Sequence, residues 1–275
     1  MLALGFGYGA FLFLTLPDVR GLRLANPDST AFIDLRIREA HARGEPARRV
    51  QRWIGYGRIA PSLIRAVLVA EDSKFWQHEG VDFEQLRESI DVDFERMEFA
   101  RGGSTITQQL ARNLYLSPSK NPIRKLRELM IARQLETELS KQRILELYLN
   151  VIEWGDGIYG AEAASRTYFQ KSAADLTPQE SALLAAAIPS PRVFDPGHPS
   201  PRLRRRQQMV FRRMGLVTPP PVQATGPPAA LPPAAPLPEV LPAVPGEAGG
   251  PAELPGQALP APQDPQGKPP GARSP

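Results

Sequence analysis

The chain has 275 residues, with 33 Lys and Arg against 29 Asp and Glu, a formal net charge of +4 and no cysteine. The missing cysteines exclude disulfides, thiol nucleophiles and Cys-based metal sites, and His41, His78 and His198 are too scattered for a local zinc motif. Residues after 217 are nearly neutral, so the basic excess belongs to the part before them, where Arg clusters suit phosphate, anionic lipid, nucleic acid or simply water.

Residues 1–17 are uncharged and mostly apolar, ending at Pro17. The run is slightly short of the ~20 apolar residues a membrane span needs. It lacks the leading charge and small-residue cleavage site of a signal peptide, so we expect a membrane anchor with a clipped start. Arg20 and Arg23 follow it, and charge bias therefore gives no support to an inside N-terminus. Residues 18–54 read as an Arg-rich connector with one helix near Ala31 to Arg43. Pro61 opens a helix with an apolar stripe of Leu63, Ile64, Val67, Leu68 and Ala70, and Glu71-Asp72 stand at its end. A loop through Phe75 and Trp76 breaks at Gly80, and Asp82 caps a helix to about Glu98.

Arg101-Gly102-Gly103 is a turn able to hinge a flap. Ser104 or Thr105 then caps a helix with Ile106, Leu110 and Leu114 on one side. After a loop between Pro118 and Pro122, a long helical pattern runs from Ile123 to Leu139. Ser140 caps the next helix, Lys141 to Val151, with Ile144, Leu145, Tyr148 and Leu149 inward. Another helix covers Ala161 to Phe169, and Thr177-Pro178-Gln179-Glu180 is a capping box for an apolar helix ending before Pro189. A basic helix spans Pro201 to Met214. Almost nothing reads as strand, so the fold class is mostly α. Residues 217–275 are so rich in Pro, Ala and Gly that they read as a disordered tail. About 190 residues remain, enough for one sizeable core.

Two acidic residues about 57 positions apart, Glu71 and Glu128, each sit in a dense polar motif. One carboxylate follows an apolar helix and the other is flanked by Arg124, Lys125 and Arg127. The pairing suits moving a sugar off a diphosphate: one group takes a proton while the other helps a departing anion. Glu71 alone could be a surface residue at a helix end. Arg124 and Glu128, four apart on one helix face, could be an intrahelical ion pair. Arg124 and Lys125 offer a planar fork and a point charge for phosphate. Arg112 and Lys120 are further phosphate candidates. Ser104 and Thr105 could contact substrate or cap their helix, Gln108 leans to substrate contact, and Asp72 and His78 are expected to organise the site rather than react. Tyr148, Leu149, Asn150, Tyr168 and Phe169 read as core and scaffold, and the Arg202–Arg206 run as a solvated basic face.

These residues resemble a known family. Glu71-Asp72-x-x-Phe75-x-x-His78-x-Gly80-x-Asp82 is similar to the first motif of the peptidoglycan glycosyltransferases. Gly102-Gly103-Ser104-Thr105-Ile106-Thr107-Gln108-Gln109 resembles the second, and Arg124-Lys125-x-x-Glu128 the third. Ile144-Leu145-Glu146-x-Tyr148-Leu149-Asn150 resembles the fourth, and Gly160-x-x-x-Ala164-x-x-x-Tyr168-Phe169-x-Lys171 the fifth. Five motifs in order over about residues 55 to 214 make the likeness specific, and the monofunctional biosynthetic type is nearest, since no transpeptidase domain fits in the tail.

The resemblance implies a glycosyltransferase domain over 55–216. Its fold would be lysozyme-like, with a smaller membrane-proximal jaw, on the outer face of a bacterial inner membrane. It implies polymerisation of lipid II, with Glu71 as general base and Glu128 as the second acidic residue, assisting diphosphate departure directly or through a divalent cation such as Mg²⁺ held there. Asp72, His78, Ser104, Thr105, Gln108, Arg112, Lys120, Arg124 and Lys125 would line the substrate. Expected partners are lipid II, the growing glycan, membrane lipids and other wall-synthesis proteins, with no nucleic acid. Arg112 departs from the Lys often found there. The rivals are a lysozyme-like glycan hydrolase and a scaffold recruiting partners through its Pro-rich tail.

Overall fold

The computed structural model describes residue 7 and residues 11–80, 104–118 and 121–215. The expected helix from Asp82 to Glu98, the Gly102-Gly103 hinge, Lys120, most of the apolar N-terminal run and the Pro-rich tail lie outside the described residues. Among the described residues no helix is long and apolar enough to cross a membrane.

The described helices are α1 (Ala31–Ala42), α2 (Pro61–Glu71), α3 (Ile106–Tyr115), α4 (Pro122–Glu138), α5 (Lys141–Val151), α6 (Ala161–Phe169), α7 (Pro178–Ala187) and α8 (Pro201–Met214). Local chemistry sets their starts. Thr30, Thr105, Asn121, Ser140, Thr177 and Ser200 each cap a helix through a side-chain oxygen, and Thr177 with Glu180 completes a capping box. Pro61, Pro122, Pro178 and Pro201 occupy first-turn positions, where a missing N–H costs nothing.

Two packed groups follow from the apolar patterns. In α7 every residue from Ser181 to Ala187 is buried, so this helix is central. Its alanines let α2 and α8 pack closely on it, and Ser62 Oγ meets Ser181 Oγ at 2.8 Å across the α2–α7 contact. The second group is α3 against α4 and α5, with α1 also packed on α3. Leu110, Ile131, Leu135, Ile144 and Tyr148 are fully buried there, each stabilising the fold by about 1.5–3 kcal/mol.

The structure adds strands where almost none was expected. Short β1 (Val50–Gln51), β2 (Glu153–Gly155) and β3 (Ile158–Tyr159) form a sheet in the order β1-β3-β2. β1 is parallel to β3, pairing Val50 with Ile158, and β2 is antiparallel to it. Strands of two or three residues are too short to show period-two patterning. The stretch 18–54, expected as a connector, is thus built into the fold through α1 and β1. Gly160, at φ +87°, turns the chain from β3 into α6, and a Cβ there would lie 2.8 Å from the Asn150 carbonyl oxygen.

Candidate active site

Glu71 is the last residue of α2. The buried stripe of that helix carries its end into the protein, and the Glu71 side chain is left half-buried. Its Oε2 accepts a hydrogen bond from Gln109 Nε2 at 2.9 Å, and Gln109 Oε1 accepts one from the Tyr148 hydroxyl at 2.9 Å. The relay fixes the amide orientation, since the phenol donates to one end and the other end donates to the carboxylate. Burial pushes the Glu71 carboxyl above its ordinary value, and the nearby Asp72 charge adds to this. The Gln109 hydrogen bond and the Arg206 and Arg112 guanidinium groups oppose it. Burial also raises the Tyr148 phenol well above its usual range, with Glu71 contributing, so Tyr148 stays a donor.

Asp72 follows Glu71 and organises the loop behind it. It is 1% exposed. One oxygen accepts the Ile106 N–H at 3.0 Å, at the start of α3, and His78 Nε2 lies 3.0 Å from both oxygens. His78 Nδ1 accepts the Gly80 N–H at 3.2 Å, so its hydrogen atom sits on Nε2, facing Asp72. The Gly80 carbonyl in turn receives Thr105 Oγ1 at 2.7 Å and Gln108 Nε2 at 3.1 Å. Thr105 and Gln108 are 1% and 2% exposed. The two side chains stitch the 72–80 loop to α3.

Glu128, 1% exposed on α4, accepts from Arg124 Nη1 and Lys125 Nζ at 2.5 Å each. Lys125 Nζ also donates to Ser104 Oγ at 3.1 Å and Gln108 Oε1 at 2.9 Å, so its three donors are engaged. Ser104 is therefore a lysine partner, and Thr105 is the cap. The intrahelical pairing of Arg124 with Glu128 is real, yet Arg124 also lines a cavity of about 550 Å³. A divalent cation does not fit this donor set. Both Glu128 oxygens are held by cations, and among the described residues no group of three or more His, Cys, Asp or Glu could hold a metal.

That cavity joins the two motifs. Its wall carries Gln109, which holds Glu71, and Arg124, which holds Glu128, together with Arg112 and Tyr148. Arg112 makes no hydrogen bond or ion pair among the described residues, so its guanidinium presents open donors to the cavity beside Glu71.

Three site residues were not singled out from the sequence. Gln109 stands beside Gln108 in the same motif, and only the helical phase of α3 separates their faces. Tyr148 was read as core. It is core, but a phenol buried among leucines needs a partner, and here that need builds the relay. Arg206 was placed on a solvated face, whereas it is half-buried, donates from Nε to the Ala186 carbonyl at 3.1 Å and stands near the Glu71 carboxyl. Its signal was present: it lies three residues after Leu203 and four before Val210, both buried. Arg202, Arg204 and Arg205 are exposed, as the solvated reading requires.

Comparison with known proteins shows the family. The transglycosylase family model matches residues 38–215. A biosynthetic peptidoglycan transglycosylase of Nitrosospira multiformis is 45% identical over 189 residues, covering 69% of this chain and 82% of the relative. Proteins of the same name from Dechloromonas aromatica (44% identical; 69% of this chain, 82% of the relative) and Chromobacterium violaceum (42%; 70% and 84%) are similar in extent. With a family match over most of the described residues, the chain belongs to the transglycosylase family.

Proposed function

We propose that this protein polymerises the glycan of peptidoglycan from lipid II. The growing chain, held on its lipid diphosphate, donates its reducing-end sugar to the 4-hydroxyl of an incoming lipid II. The new C–O bond forms on the face opposite the leaving diphosphate, which inverts the anomeric carbon and releases undecaprenyl diphosphate. Glu71 accepts the hydroxyl proton as the bond forms. A carboxyl raised by burial is a better base near neutral pH than an ordinary one, and such a group contributes about 10²–10⁴-fold to rate. Arg112 and Arg124 stabilise the negative charge that develops on the diphosphate.

The observation that carries this reading is the Tyr148–Gln109–Glu71 relay, whose Tyr148 and Gln109 share a cavity wall with an Arg112 guanidinium that has no partner among the described residues. The relay ends on the base, and the charge of the Arg112 fork reaches the Glu71 carboxyl. A hydrolase with two working carboxylates fits less well, because Glu128 is buried beneath two cations and is not free to activate water. Work at the outer face of the bacterial inner membrane belongs to the same reading, supported by exposed Phe11, Phe13 and Leu14 in the apolar N-terminal run. The deciding experiment incubates the purified full chain with labelled lipid II in detergent and sizes the products. Long glycan is expected, and failure to extend lipid II under conditions that keep the protein folded removes the proposal.

A further inference from the structure

The cavity has a second wall that the reaction chemistry does not use. It is built from Phe32 and Arg36 on α1, Glu153 on β2 and the Pro189–Val193 segment, with Arg192 facing in. Phe32 and Arg36 precede the residues matched by the family model, which begin at 38. This wall is charged and held in place. Arg36 lies over the Phe32 ring at 4.7 Å, donates from Nε to Glu153 at 3.3 Å and from Nη1 to Glu39 at 2.9 Å. Arg192 donates only from Nε, to Asp156 at 2.8 Å. Among the described residues, Arg36 Nη2 and both terminal nitrogens of Arg192 have no acceptor.

The two open terminal nitrogens of Arg192 match the planar, two-oxygen geometry of a carboxylate, and Arg36 Nη2 adds a further open donor on the same wall. Burial pushes the Glu153 carboxyl up, against the pull of Arg36. Arg36, Glu153 and Arg192 also line a smaller cavity of about 70 Å³ behind them. Tyr159 lines it too, at 1% exposure, with a hydroxyl that has no partner among the described residues. Buried polar groups almost always find partners, so that pocket calls for a small polar guest.

We infer that Arg36 and Arg192 form a specificity subsite for a carboxylate on the peptide carried by the substrate's sugar, apart from the diphosphate held by Arg112 and Arg124. The inference rests on the proposed polymerase reading. A peptide joined to the sugar through its amino end exposes carboxylates at the other end, and the second wall is where the cavity can read them. The residues act on substrate choice and leave proton transfer to Glu71.

The test measures polymerisation by the full chain on two substrates: lipid II with free peptide carboxylates, and the same molecule with those carboxylates converted to primary amides. Wild type is expected to prefer the free acid by about tenfold in kcat/KM, the preference lying in KM, as charge-assisted hydrogen bonds of ordinary strength give. Arg192→Gln, at a partly exposed side chain that does not threaten the fold, is expected to lose most of that preference. Arg36→Lys, which keeps the charge near Glu153 but lacks the open Nη2 donor, is expected to reduce it too. Equal wild-type activity on both substrates overturns the inference alone, as does a preference undiminished in both variants. A wild type inert on both substrates overturns the parent reading, and this one with it.

Discussion

At Glu71 the competing influences have opposite signs, and the balance can be moved one residue at a time. The folded protein holds this carboxyl above its ordinary 4.5, so folding binds a proton more tightly there than the unfolded chain does. Such a group lowers stability as pH rises from 4.5 through the raised value. Glu71→Gln removes the buried charge. The expected result is a Tm at neutral pH no lower than wild type, with polymerisation lower by about 10²–10⁴-fold; near-normal chain growth removes Glu71 from the base role. Arg206 pulls the carboxyl down through space, without a hydrogen bond to it. Arg206→Gln should therefore raise the Glu71 value further and move the acid limb of the rate profile to higher pH, whereas Arg206→Lys should hold it near wild type. A pH–rate series on the three proteins reads this directly, and an unmoved limb in Arg206→Gln shows that the guanidinium does not reach the base.

At the scale of elements, α3 is the piece on which the site is assembled. Asp72 holds its first amide, Thr105 caps it, Gln109 reaches Glu71 from it, and Lys125 binds it to α4 through Ser104 and Gln108. The α4 end of that joint is a buried anion under two partly exposed cations: the side chains of Glu128, Arg124 and Lys125 are 1%, 17% and 39% exposed. Stability should respond asymmetrically. Lys125→Met takes a partner from a charge that water cannot reach and should cost about 3 kcal/mol in urea unfolding. Glu128→Gln leaves its orphaned charges nearer solvent and should cost less; the reverse order refutes the buried-charge account. Much of this was legible in sequence. The caps at Thr105, Ser140 and Thr177, the Pro starts and the helical stripes are local signals, and each matches an observed helix boundary. What stayed hidden depends on distant partners: the strands need β1 to meet β3 across about a hundred residues, and the choice between Gln108 and Gln109 needs to know which face of α3 meets Glu71.

For the whole molecule, the question of chemistry is how the folded core meets a lipid-linked substrate. Arg127 on α4 donates to Thr15 Oγ1 at 2.8 Å and to the Thr15 carbonyl at 2.7 Å, tying the end of the apolar N-terminal run to this helix. Phe11, Phe13 and Leu14 are 57%, 65% and 80% exposed, and Ile123 and Leu126, within one turn of Arg127, are 40% and 48% exposed. Apolar side chains gathered this way around one arginine suit insertion among acyl chains with the cation at headgroup level. The two α4 residues separate this surface from the N-terminal run itself. Ile123→Ser with Leu126→Ser removes apolar area already in water, so the fold should lose little, while binding to vesicles should fall because each buried side chain contributes about 1.5–3 kcal/mol. Sedimentation with vesicles of uncharged phosphatidylcholine isolates this contribution from the exposed arginines of α8, whose attraction to anionic lipid is screened by salt. We expect the double variant to bind such vesicles at least tenfold more weakly than wild type, by a factor that salt leaves unchanged. Equal binding by the two proteins would mean that α4 faces water and that the N-terminal run alone meets the bilayer.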